Sequence, residues 1–152
     1  MYKRILLATD GSPTSQQALL ETVKLAREGA TIKVVTVIIN PMASIPSPYG
    51  VDYVGMLRDA AVESGRAALE KSVQQLKEKG VNAEGCLIDL SETVGTRIAS
   101  ALLAEANEWP ADLVVIGTHG YSGVKRFFLG SVAEELIRSS NIPVLLVHGK
   151  ES

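Results

Sequence analysis

The sequence predicts an α/β protein, a single-domain open five-stranded parallel sheet with helices on both faces. Short apolar or β-branched runs alternate with longer stretches of helical periodicity. The runs have almost no polar side to show, as expected of strands buried on both faces. Each stretch between runs exceeds the dozen or so residues that a crossover between parallel strands needs, and right-handed crossovers place helices against the sheet.

The first run is Ile5 to Ala8, followed by a helix with Ser12 as N-cap, Pro13 at its first position and an end at Gly29 after Arg27. The second run, Ile32 to Ile39, leads through the Pro- and Gly-rich segment Asn40 to Gly50, a loop by composition. A long helix then spans Asp52 to Lys79, with Val54, Leu57, Ala61, Ala68, Leu69, Val73 and Leu76 on its buried face and Gly80 as its stop. Ala83 to Asp89 reads as the third strand. From about Glu92 to Glu108 a helix carries Val94, Ile98, Ala101, Leu102 and Glu105 along one side, and Trp109-Pro110 ends it. Leu113 to Ile116, a helix from Gly130 through Ile137, and Val144 to Val147 complete the order βαβαβαβαβ. Neither an internal repeat nor a linker divides residues 1–150.

Composition narrows the function classes. At 152 residues, with 46% hydrophobic and 21% charged content, the chain has the makings of one soluble domain. A net charge of −2 gives no electrostatic reason to expect nucleic acid or a membrane surface as partner. Cys86 is the only cysteine, which excludes an intrachain disulfide and a Cys-based zinc site. The apolar run at the N-terminus is too short for a signal-peptide core or a membrane span, so a cytoplasmic location is expected.

In open α/β sheets ligands bind beyond the carboxyl ends of the strands, where the strand order reverses. Two loops there carry chemistry. Thr9-Asp10-Gly11-Ser12 puts a carboxylate beside a helix N-terminus, and Gly117-Thr118-His119-Gly120 is followed after nine residues by Gly130-Ser131. Glycines admit backbone N–H groups close to a polyphosphate, and a helix start offers unpaired N–H donors with a favourable dipole. Lys125 and Arg126 lie inside the second loop and bring positive charge to it. There is no G-x-x-x-x-G-K-[ST] run and no G-x-G-x-x-G after the first strand, so neither a P-loop nor a dinucleotide fold is present.

The start Ile5 to Ser12, the segment Ile116 to Gly120, and Leu129 to Ala133 ahead of Pro143-Val144 resemble the universal stress protein family over essentially the whole chain. Gly117, Gly120, Gly130 and Ser131 are similar to the G-x-x-G, nine residues, G-[ST] motif of its ATP-binding branch. The resemblance implies an adenine nucleotide alpha-hydrolase-like sheet of strand order 3-2-1-4-5. It implies a site for ATP, with Mg²⁺, in which Ala8, Thr9 and Asp10 line the ribose and any metal and Val37 meets adenine through its backbone. Ile116 and Gly117 would border ribose and adenine, and Gly120, Gly130, Ser131 and Val132 would hold phosphates. His119 would border the same site as a loop residue, because no second titratable group stands where it would make this histidine an acid or base. Ala133 stands where some relatives carry a hydroxyl. The resemblance also implies a homodimer paired through Val144 to Val147.

Ordinary readings stand beside these. Asp10 also suits a helix cap, the glycines suit turns, Cys86 suits a small buried apolar residue, and the last strand suits the interior of a monomer. Two function classes follow: a nucleotide-dependent stress-response module with a protein partner, or a slow ATP hydrolase or nucleotidyl transferase with Asp10 holding the metal. A dimerising stress protein without nucleotide is a third outcome. A flavoprotein-subunit relative is disfavoured, since short loops leave little room for an isoalloxazine ring.

Overall fold

The computed structural model describes residues 1–39, 53–91, 98–118 and 130–149. The elements follow in chain order as β1 (Tyr2–Ala8), α1 (Pro13–Leu25), β2 (Ala26–Ile38), α2 (Tyr53–Glu78), β3 (Asn82–Asp89), α3 (Ile98–Glu108), β4 (Leu113–Gly117), α4 (Ser131–Ser139) and β5 (Val144–Val147). All pairings are parallel, in the order β3-β2-β1-β4-β5. The sheet has a core on each face because β1 alternates: Ile5 and Leu7 join Leu19, Leu69 and Leu76 on one side, while Leu6 and Ala8 join Ala99, Leu102 and Leu136 on the other. β5 pairs with β4 and forms one edge of the sheet, which places it at the rim of the monomer rather than in its interior.

Three expectations about helices need correction. α1 begins as expected, with the Ser12 hydroxyl accepting from the Ser15 N–H, but it ends at Leu25, before Gly29. Ala26 has already turned to extended backbone, and the register between β1 and β2 slips between Tyr2 and Arg4. Gly29, at φ +77°, therefore serves an irregularity of β2 rather than a helix stop. Gly80, at φ +78°, does close α2: its N–H reaches the Lys77 carbonyl and the Val81 N–H reaches Leu76, the paired bonds of a Schellman end.

The second correction concerns Leu57, expected in the core but 49% exposed, with Met56 beside it 64% exposed. Length explains it. The 26 residues of α2 span about 39 Å, whereas the eight of β3 span about 26 Å. The lower ends of α2 and β3 are tied by the Gly80 turn, so roughly two turns at the start of α2 overshoot the sheet. In α3 the buried stripe is Ala99, Leu102 and Ala106, one position round from the expected one, with Ile98, Ala101 and Glu105 half-buried at its border. The loop Asn40 to Gly50 and the residues Val94, His119, Gly120, Lys125 and Arg126 lie outside the described residues.

Candidate functional site

A cavity of about 370 Å³ opens at the carboxyl ends of β1, β2 and β4, beside the first turn of α4. Ala8, Thr9 and Asp10 line it from β1, Val37 from β2, Ile116 and Gly117 from β4, and Gly130, Ser131 and Val132 from α4. Residues separated by more than a hundred positions meet there because β1 lies between β2 and β4, the point where the strand order reverses.

The wall on the β1 side is a hydrogen-bonded cap. The Thr9 N–H donates to the Val35 carbonyl (3.0 Å), and the Thr9 hydroxyl accepts from the Gly11 N–H (3.2 Å). Gly11, at φ +80°, makes the turn that a side chain would resist. Asp10 Oδ1 accepts from the Ser12 N–H (2.9 Å) and the Ser15 hydroxyl (3.2 Å). Asp10 thus caps α1 and lines the cavity at once. Its other oxygen, Oδ2, takes no hydrogen bond from the described residues, and the side chain is exposed at the mouth.

On the opposite wall two glycines permit close approach. A Cβ on Gly117 would stand 2.6 Å from Thr14 Cγ2, so its bare Cα lets the first turn of α1 close onto β4. A Cβ on Gly130 would stand 2.7 Å from the Thr118 carbonyl, which the Gly130 N–H already bonds at 2.8 Å. The Thr118 N–H in turn bonds the Val147 carbonyl at 2.9 Å, so the backbone of one residue joins β4, β5 and α4. Its N-cap, Gly130, has no side chain with which to cap α4, whose first turn lines the cavity through Ser131 and Val132.

Sequence reasoning missed part of this lining. Ser12, Ser15 and Thr118 add hydroxyls, and Val35, Ile98 and Leu102 add an apolar wall beside the expected Ala133. Ser15 was accessible in principle as the residue three after an N-cap serine. Ile98 and Leu102 carry only the signal of a helix core face.

A second polar cluster stands away from the cavity. Lys33 of β2 pairs with Glu105 of α3, both largely buried, with the ammonium 5.5 Å from the Trp109 ring centroid. Burial works against the Lys33 charge, yet the Glu105 carboxylate prevails and the pKa lies above its ordinary value. Beside it, half-buried Cys86 of β3 has its thiol pKa pushed up by burial and by Glu105. Such a thiol is held protonated and unreactive.

The sequence model of the universal stress protein family matches residues 1–148. The chain belongs to the universal stress protein family. Its similarity to universal stress protein MJ0531 of Methanocaldococcus jannaschii is 32% identity over 149 residues, covering 97% of this chain and 82% of that protein. Among solved structures, hypothetical protein MJ0577 superposes with a TM-score of 0.85 at 25% identity, covering 100% of this chain and 99% of that one. A universal stress protein in complex with cAMP superposes with a TM-score of 0.69 at 26% identity, covering 98% and 99%. The family's five-stranded parallel fold is therefore the fold of this chain. Among the described residues no helix is long and apolar enough to cross a membrane, and no group of three or more His, Cys, Asp and Glu side chains is placed to hold a metal ion.

Proposed function

We propose that this universal stress protein binds an adenine nucleotide, foremost ATP with Mg²⁺, in the cavity beyond β1, β2 and β4. In this reading it works in the cytoplasm as a homodimeric, nucleotide-dependent stress-response module whose protein partner senses occupancy. The observation that carries the reading is the convergence of Ala8 to Asp10, Val37, Ile116-Gly117 and Gly130 to Val132 on one cavity. Its volume of about 370 Å³ lies in the range of small-molecule sites. Apolar Val37 and Ile116 suit a base, and the α4 start behind its glycine N-cap suits phosphate oxygens. The relative bound to cAMP supports the same ligand class.

Asp10 is a single carboxylate with one oxygen already used, which fits a cation shared with phosphates and not a cage of protein ligands. Mg²⁺ there would neutralise phosphate charge that Asp10 otherwise repels. His119 and Gly120 complete the motif in sequence. The chain's own part in the cycle is binding and orientation, and hydrolysis below about 1 s⁻¹ is expected, slower than ordinary enzymes. The edge strand β5 supports pairing with a second copy through Val144 to Val147.

Calorimetric titration of ATP with Mg²⁺ tests the reading, comparing the unaltered protein with Gly130→Ala. The methyl group would push against the Thr118 carbonyl and part the two sides of the cavity, so at least a tenfold loss of affinity is expected in a variant whose circular dichroism is unchanged. An unaltered protein that takes up no adenine nucleotide, once verified free of co-purified ligand, refutes the reading and leaves a dimerising stress protein.

A further inference from the structure

The fold has little use for a hydroxyl at position 15. Ser15 is 4% exposed and belongs to the buried stripe of α1 with Ala18, Leu19 and Thr22. Alanine, the strongest helix former, would fill the same space without a hydroxyl to satisfy. The Ser15 hydroxyl stands 2.9 Å from the Ser12 carbonyl, but that carbonyl already accepts the helical bond from the Gln16 N–H at 3.0 Å. The other acceptor in reach is Asp10 Oδ1, at 3.2 Å. Behind it runs a chain of donors. The Ser15 N–H donates to the Ser12 hydroxyl (3.2 Å), the Ser12 hydroxyl to the Ser15 hydroxyl (3.3 Å), and the Ser15 hydroxyl to the carboxylate. Each member polarises the next, so the chain strengthens toward the charge on which it ends. The Ser12 N–H reaches the same oxygen at 2.9 Å. Asp10 itself is exposed, and a single bond would let its carboxylate turn about that contact. A second donor, locked in place by packing, fixes the orientation.

We propose that Ser15 is a positioning residue of the cavity, its buried hydroxyl holding the Asp10 carboxylate by Oδ1 so that Oδ2 is presented to the ligand. Both residues line the cavity, and Oδ2 takes no hydrogen bond from the described residues. A carboxylate ordered before the ligand arrives loses no rotamer freedom on binding it. The inference rests on the nucleotide reading of the cavity and adds to it a residue that acts through Asp10. Ser15 therefore changes affinity only while Asp10 is present. A hydroxyl that merely completed the start of α1 would act on stability, with or without that carboxylate.

The test is a double-mutant cycle on calorimetric titration of ATP with Mg²⁺, using the unaltered protein, Ser15→Ala, Asp10→Ala and the two changes together. Ser15→Ala should lose about three- to tenfold in affinity, the worth of one hydrogen bond. It should melt within about 2 °C of the unaltered protein, because the helix propensity of alanine offsets the lost bond. In the Asp10→Ala background the same change should alter affinity less than about twofold. Three-bond NMR couplings at Asp10 supply a readout without ligand: one staggered χ1 position should dominate in the unaltered protein and give way to averaging in Ser15→Ala. Unchanged Asp10 couplings in Ser15→Ala overturn the proposal, whatever the titrations give. Equal losses of affinity in the two backgrounds, or a Ser15→Ala protein that binds as the unaltered one does, overturn it as well and leave the nucleotide reading in place. Absence of nucleotide binding by the unaltered protein overturns the nucleotide reading and this inference with it.

Discussion

A methyl group at position 117 would stand 2.6 Å from Thr14 Cγ2, about 1 Å inside the separation at which carbon atoms attract. Gly117 is not among the left-handed glycines of the described residues, so alanine meets no backbone penalty and contact alone sets the cost. Overpacking of this kind costs about 1–3 kcal/mol, and replacing a strand glycine returns about 0.5–1 kcal/mol of it. Gly117→Ala should therefore destabilise the protein by about 0.5–2 kcal/mol, a fall of roughly 1–8 °C in melting temperature for a domain of this size. Thr14→Ser removes the offending Cγ2 and leaves Thr14 Cβ and backbone carbon at 3.3 Å, a separation that asks for a shift of only a few tenths of an ångström. In the Thr14→Ser background the same Gly117→Ala change should cost about 1 kcal/mol less, a coupling readable in a double-mutant cycle by urea denaturation. An equal cost in both backgrounds, or a stabilised single variant, would refute the idea that Gly117 is there to admit the first turn of α1.

Lys33→Met should cost about 2–3 kcal/mol, because the Glu105 carboxylate is left largely buried without its partner; Lys33→Met combined with Glu105→Leu should recover most of that, and neither change should alter ATP titration, since neither residue lines the cavity. Alkaline pH should weaken the fold through Cys86. Its thiol pKa is raised in the folded protein, so the unfolded chain loses this proton first as pH rises past the ordinary value of 9.0, and the contribution disappears as pH passes the folded value. Urea midpoints at pH 8 and pH 10 should therefore fall further for the unaltered protein than for Cys86→Ala.

Legibility followed the range of the interactions. Strand identities and two helix starts were readable because each rests on neighbours in sequence: the capping Ser12 before Pro13 for α1, Gly130 before Ser131 for α4. The end of α1 was misread because Arg27 and Gly29 carry a helix-stop pattern, while the pairing of Ala26 with Tyr2 is non-local and prevails. Leu57 was misread because periodicity says which face of α2 is apolar and nothing about where the sheet beneath it stops.

The sequence by itself determined the alternating elements, the family and the loops that carry the site, since apolar periodicity, caps and glycine spacing are properties of consecutive residues. Only the tertiary structure decided that Asp10 caps α1 while lining the cavity, and that Gly117 and Gly130 are small because Thr14 and Thr118 press against them. Those facts depend on distances between chain segments brought together by the order β3-β2-β1-β4-β5, and no local pattern encodes a distance across a sheet.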